Sequence, residues 1–189
     1  TTLTLNGSIG TILRWESSVD DFVTTTTIVT GSDSLNESPT VSTKYRAVVQ
    51  NGSCDPETSS EIEIIVNALP NATVIAAANI CEGEQIAIGA TDITTSTYSW
   101  VASDPSYTWD PNQDTNANPS VDPLVTTSFT LTETVTATGC QQTNTVLITV
   151  NPASTGGTIN ATATEICEGS STTLTLNGSI GTILRWESS

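Results

Sequence analysis

Ser128 to Val150 reads SFTLTETVTATGCQQTNTVLITV. Apolar side chains fall on alternate positions either side of the TGC turn, Phe129 and Leu131 before it, Val146 and Ile148 after it. A spacing of two places them on one face of an extended chain, whereas a helix repeats near 3.6. The small residues of the turn close the two runs into a β-hairpin. Upstream, NATVIAAANI (Asn71–Ile80) predicts a first strand, EQIAIGA (Glu84–Ala90) a second, and STYSWVAS (Ser96–Ser103) a third with Trp100 inward. The Pro-, Asp- and Asn-rich stretch from Asp104 to Pro123 has room for one or two short irregular strands. The core expected from this pattern is Val74, Ile86, Ile88, Trp100, Phe129, Leu131, Val146 and Ile148.

The same order occurs earlier as ILRWESS, TKYRAVVQ and SEIEIIV (Ile12–Ser18, Thr43–Gln50, Ser60–Val66). No stretch carries helical periodicity. About seven strands in some 85 residues, with a Trp on the third, predict an all-β chain of tandem immunoglobulin-like β-sandwich domains in an extended array.

The sequence is periodic at two levels. TTLTLNGSIGTILRWESS stands at Thr1–Ser18 and again at Thr172–Ser189, a period of 171 (172 minus 1). Within it, Cys81 to Trp100 and Cys167 to Trp186 both run Cys-Glu-Gly, sixteen residues, Trp. Cys54 to Cys140 and Cys81 to Cys167 are both separated by 86 (140 minus 54, 167 minus 81). Fixed-period similarity marks an array. The expected domains are 1–67, without its first strand, 68–152, complete, and 153–189, the opening strands of a third domain that repeats the first.

Composition narrows the function. Twenty acidic against 4 basic residues give a net charge of −16, and there is no His. Nucleic acid needs Lys and Arg for its phosphates, so it is an unfavourable partner. No apolar run reaches the roughly 20 residues that span a bilayer, so direct membrane insertion of this segment is not expected. Four regularly placed Cys in a Thr-rich β chain suit an oxidising, extracellular compartment. Catalysis finds no footing: no carboxylates are paired beside a nucleophile, and no base stands ready for a Cys. The chain is not expected to be an enzyme.

The series ICEG, a Trp after the second strand, NPSVDPLVTTSFTLTETVTATGC and VLITVNP resembles the immunoglobulin-like tandem repeats of giant Bacteroidota cell-surface adhesins, of which the gliding-motility adhesin SprB is the type. The first module repeats it as LRW, SPTVSTKYRAVVQNGSC and IIVNALP, and ICEG recurs in the third at Ile166–Gly169. The resemblance implies type IX secretion, display at the cell surface, and an adhesive or filament role in attachment or gliding. Its implied partners are neighbouring repeats, other copies of the chain and surface polysaccharide. A secreted carbohydrate-binding module is the alternative.

Cys54, Cys81, Cys140 and Cys167 are the disulfide candidates. With seven strands, Cys81 before the second and Cys140 after the sixth fall at opposite ends of a domain. A strand of about eight residues rises roughly 25 Å, whereas bridged Cα atoms lie within about 7 Å. That favours bonds joining the first turn of one domain to the last hairpin of the next. A different strand count restores the bond inside each domain, and free or metal-bound thiols complete the alternatives.

Three weaker sites remain. Asp110, Asn112 and Asp114 alternate like the first ligands of a calcium loop, though Thr115 stands where such a loop has Gly. Calcium is the only cofactor these residues suggest, and an Asx-rich loop capping its own turns is the favoured reading of them. Asp33-Ser34-Leu35 fits the Asp-Ser/Thr-apolar tripeptide that Bacteroidota O-glycosylate, which the resemblance implies for Ser34. Tyr107 and Trp109 suit either sugar stacking or closure of the sandwich end.

Overall fold

The structure, a computed structural model, describes residues 1–188. It is all β apart from one short 3-10 turn, Gln113–Thr115, and divides into two compact units, Thr1–Ala68 and Leu69–Ser189.

In the first unit β1 (Thr2–Thr4) pairs antiparallel with β4 (Ser34–Asn36). The facing sheet holds β2 (Thr11–Ser18), β3 (Thr26–Ile28), β5 (Thr43–Gln50), β6 (Glu57–Thr58) and β7 (Ile62–Ile64). Its order is β3-β2-β5-β6, with β7 also on β5. Leu3 and Leu35 from one sheet meet Ile12, Trp15, Tyr45 and Ala47 from the other. Strict alternation along β2 would send Ile12 and Trp15 to opposite faces. A bulge resolves this: Ile12 faces Val49 and Arg14 faces Val48, so Leu13 is the extra residue. Both apolar side chains thereby turn inward.

The second unit builds the more complete sandwich. One sheet runs β10 (Ser96–Ala102), β12 (Thr127–Val135), β13 (Gln141–Asn151) and β8 (Ala78–Cys81), and the other pairs β9 (Ile86–Ala87) with β11 (Ser120–Val121). Ile88, Trp100, Phe129, Leu131, Val146 and Ile148 are buried as expected, joined by Ala72, Ile80 and Val121. Val74 and Ile86 pack at the margin of this core. The hairpin of β12 and β13 pairs from Thr127 with Ile148 to Thr134 with Gln141. In each unit the core Trp donates its indole N–H to a loop carbonyl, Trp15 to Ser32 (3.1 Å) and Trp100 to Asn116 (2.9 Å). A buried indole left unpaired would cost about 1–3 kcal/mol, so both loops are fixed by their Trp.

The expected first strand, 71–80, is ladder only at its end. Its start is held by single bonds, Ala72 N–H to Glu133 Oε2 (2.7 Å) and Ile75 N–H to the Ile88 carbonyl (3.1 Å). The chain then crosses to the other sheet, and β8 runs parallel to β13, with Ile80 beside Val150 and Cys81 beside Asn151. The segment therefore serves both sheets in turn. Glu133 lies on the inward face of β12 and caps the core where the chain comes in. Its second oxygen, Oε1, is buried without a partner.

Beyond Asn151, β14 (Thr158–Ala161) and β15 (Leu174–Asn177) form an antiparallel pair, extended by a bridge between Thr155 and Ile180. Residues 182–188 repeat the sequence of β2 but form no strand. Ser189 lies outside the described residues.

In the second unit the chains that continue β9 and β11 touch closely at Gly89, where an added Cβ would lie 2.0 Å from the Ala117 carbonyl oxygen. Gly89→Ala is expected to destabilise that unit by about 2–3 kcal/mol. Gly83→Ala, in open space at a φ of 79°, should cost only about 1–2 kcal/mol. Urea denaturation followed by Trp fluorescence measures both.

Candidate functional site

The Asp104–Pro123 stretch folds over one end of the second core. Tyr107, Trp109 and Phe129 form a mutual edge-to-face trio with ring centroids 5.3, 5.2 and 5.6 Å apart. Phe129 is fully buried and the other two half-buried, so their first role is packing. Asp104 holds the turn, accepting the Ser106 backbone N–H (2.8 Å) and hydroxyl (2.7 Å) through Oδ1. Those two bonds keep its carboxyl below the usual range. Burial pushes the Tyr107 hydroxyl upward, and the nearby Asp122 and Asp110 charges add to it against a backbone bond at Asp122.

Beside this trio lies a groove of about 480 Å3 lined by Asp104, Ser106, Tyr107, Thr108, Asp122, Leu124 and Val125. It offers one tyrosine, two exposed aliphatic side chains and two carboxylates. Trp109 does not line it. Of the two predicted sugar-stacking residues, Tyr107 alone meets the groove.

Asp110, Asn112 and Asp114 lie on the adjoining loop, organised by its own backbone. Asn112 is left-handed (φ 64°), Gln113 N–H donates to the Asp110 carbonyl (3.0 Å), and the Thr115 hydroxyl donates to the Asn112 carbonyl (3.2 Å). Gln113 Oε1 accepts the Ser120 N–H (3.0 Å), tying the turn to β11. The loop thus presents the Asn116 carbonyl to Trp100. Among the described residues no three His, Cys, Asp or Glu side chains gather as a metal site. Ser34 is exposed on β4 opposite Thr4, while Leu35 of the same tripeptide is buried in the first core.

All four cysteines are unpaired within this chain. For Cys81 and Cys140 the reason is the sheet. Cys81 sits beside Asn151, the last residue of β13, whereas Cys140 immediately precedes Gln141, the first. The 11 residues of β13 separate them by about 33 Å, far beyond disulfide reach. A bond inside this domain would require dismantling its longest strand.

One charged cluster was missed by the sequence reading. Glu16, on the outward face of β2, is buried beneath Arg14 (2.7 Å) and Arg46 (2.8 Å). The Arg46 guanidinium lies 4.0 Å from the Phe22 ring centroid, and Lys44 pairs with Asp21 beside it. Asp21 and Phe22 are both left-handed (φ 56° and 60°), and the Ser18 hydroxyl accepts the N–H groups of Asp20 and Phe22 to hold that turn. The available signal was the alternation Arg14, Glu16 on one strand against Lys44, Arg46 on its neighbour, opposite charges on one sheet face.

Comparison with known proteins follows this geometry. Residues 1–68 match a family described as a domain of unknown function, DUF8696. No curated protein matches. The chain is similar to the fibronectin(III)-like modules of Clostridium thermocellum CbhA, at 14% identity over 78% of this chain and 82% of that one, with a TM-score of 0.33. It is also similar to SGBP-B of the Bacteroides ovatus mixed-linkage glucan utilization locus, solved with a mixed-linkage heptasaccharide, at 13% identity over 84% of this chain and 43% of that one, with a TM-score of 0.23. At those scores neither carries an argument about function.

Two outcomes are expected. Burial alone would raise the Glu16 carboxyl, but the hydrogen bonds and charges of Arg46 and Arg14 outweigh it and hold it low. Its contribution is then complete above the ordinary value of 4.5 and is lost as pH falls through the lowered folded value. Glu16→Gln should cost the first unit about 1.5–3 kcal/mol at neutral pH and flatten its acid limb, read from urea midpoints between neutral and strongly acidic pH. Mild oxidation of the native chain followed by non-reducing peptide mapping should yield no Cys81–Cys140 peptide.

Proposed function

We propose that this chain is part of a tandem immunoglobulin-like array, a structural and adhesive repeat of a long surface filament, with no catalytic activity of its own. The observation that carries this reading is the path through the second unit. The chain comes in at Ala72, beside Glu133 near the β12–β13 turn, and its last strand ends at Asn151, beside Cys81. Because β8 and β13 are parallel, the chain traverses the sandwich and leaves at the opposite pole. Pass-through connectivity lets domains follow one another end to end, and the period of 171 residues (172 minus 1) repeats the unit.

Secretion by the type IX route, surface display and a part in attachment or gliding belong to this proposal through the resemblance. The acidic surface supports it by keeping long chains soluble. Cysteines at both poles suit bonds between successive domains, first turn of one to last hairpin of the next. A carbohydrate-binding role is the second reading, favoured by the groove at Tyr107, Asp104 and Asp122.

Arrays of one, two and three periods, compared by small-angle scattering, test the first reading. Each added period of two domains should lengthen the particle by about 60–80 Å, and a maximum dimension that stays constant would overturn it. A glycan array on the same protein should show no saturable binding. Binding that is lost in Tyr107→Ala would move the assignment to the second reading.

A further inference from the structure

The strands β5 and β12 correspond residue for residue in the two units. The Thr43 and Thr127 hydroxyls donate to the Val41 and Val125 carbonyls, both at 2.7 Å. Ser42 Oγ and Thr126 Oγ1 accept the Val66 and Val150 N–H groups at 3.0 and 3.1 Å. Tyr45 and Ala47 then answer to Phe129 and Leu131, all four buried. Six residues beyond each threonine (49 minus 43, 133 minus 127) stand Val49 and Glu133. Val49 packs against the first core, so an apolar side chain suffices at this position.

The second unit buries a carboxyl group there instead, 2% exposed. Residues 68–152 contain no Lys, Arg or His to pair with it, since the four basic residues of the chain are Arg14, Lys44, Arg46 and Arg185. Oε1 has no partner, and Oε2 accepts the Ala72 N–H at 2.7 Å. Burying a half-satisfied polar group costs stability that an apolar side chain of similar size would not. What the second unit gains is the position of Ala72. That residue is fully buried and left-handed at a φ of 46°, a conformation that residues other than glycine hold where surrounding contacts impose it. Among the described residues, the other bond that ties 72–75 runs from Ile75 N–H to the Ile88 carbonyl (3.1 Å).

We infer that Glu133 is the positioning residue of the joint ahead of the second unit: by accepting the Ala72 N–H it fixes where the linker ends, and so sets the joint's length and stiffness. The last point fixed before the linker is Val66, bonded to Ser42. The first point fixed after it is Ala72. Between them lie the five residues 67–71 (71 minus 67, plus 1), and Pro70 restricts its own backbone and that of Leu69. Without the Glu133 bond the next fixed point is Ile75, and the free run becomes the eight residues 67–74 (74 minus 67, plus 1). The three added residues, Ala72, Thr73 and Val74, include no proline, and a longer run has more conformations and more reach. The cost of burying Glu133 falls on the core, and its benefit falls on the joint. This inference rests on the tandem order of the two units and holds whether or not the array forms a filament.

Amide hydrogen exchange of the full chain, native and carrying Glu133→Val or Glu133→Gln, tests it. In Glu133→Val, exchange over residues 72–75 should speed up about tenfold or more. The Phe129 and Ile148 amides of the β12–β13 ladder should keep their protection. Glu133→Gln retains a side-chain carbonyl for the Ala72 N–H and should exchange at close to the native rate. The two units should also reorient more independently in Glu133→Val, read as a shorter NMR rotational correlation time for each. Unchanged exchange over 72–75 in Glu133→Val overturns the proposal. So does Glu133→Gln exchanging as fast as Glu133→Val. A general loss of protection, or a failure to fold, also overturns it, because Glu133 would then be a support of the core. Freed exchange with unchanged correlation times does the same, because the joint would then be set elsewhere. Particle length per period, which tests the filament reading, is independent of all these results.

Discussion

The parallel contact of β8 with β13 is the constraint from which most of this architecture follows. An antiparallel first strand would have brought the chain in and taken it out at the same pole. Parallel pairing instead makes the first and last strands run the same way, so the domain has a head and a tail. It also seals the core, because Ile80 closes over the edge that Ile148 and Val150 present. And it fixes the cysteines, one beside each end of β13. Connectivity, burial and thiol placement are thus three consequences of one strand direction.

The segment that makes this contact is also where sequence reading was least complete. NATVIAAANI is apolar enough for a strand, but its alternation cannot say that it begins on one sheet and ends on the other. That switch is set by tertiary partners, Glu133 and Ile88 at one end and β13 at the other. The long strands were legible because β10, β12 and β13 carry their alternation through whole ladders. The bulge at Leu13 was not, since an extra residue disturbs the period by which strands are recognised. Glu16 escaped for a related reason: a charged residue on an outward face reads as solvated. Only the facing strand supplies the guanidinium that buries it.

The repeated eighteen residues make the role of context measurable within one molecule. Residues 11–18 form β2, flanked by β3 and β5, and Trp15 is 3% exposed. The same letters at 182–188 form no strand, and Trp186 is 51% exposed. Local propensity is identical in the two places, so it cannot be what makes β2 a strand. The difference lies in cross-strand partners, the term that dominates strand stability. By contrast, residues 174–177 do pair, because their partner at 158–161 is close in sequence.

The same logic bears on what such a chain can be built for. A domain whose first strand completes its own core is a closed bead, and beads join only through linkers. The second unit is that case, with Ile80 of its own first strand closing the core beside β13. Twenty acidic residues against four basic ones oppose indiscriminate edge-to-edge pairing. Register is fixed by the same contact, since a slip of one residue along 78–81 would turn Ile80 outward and place Asn79 against the core.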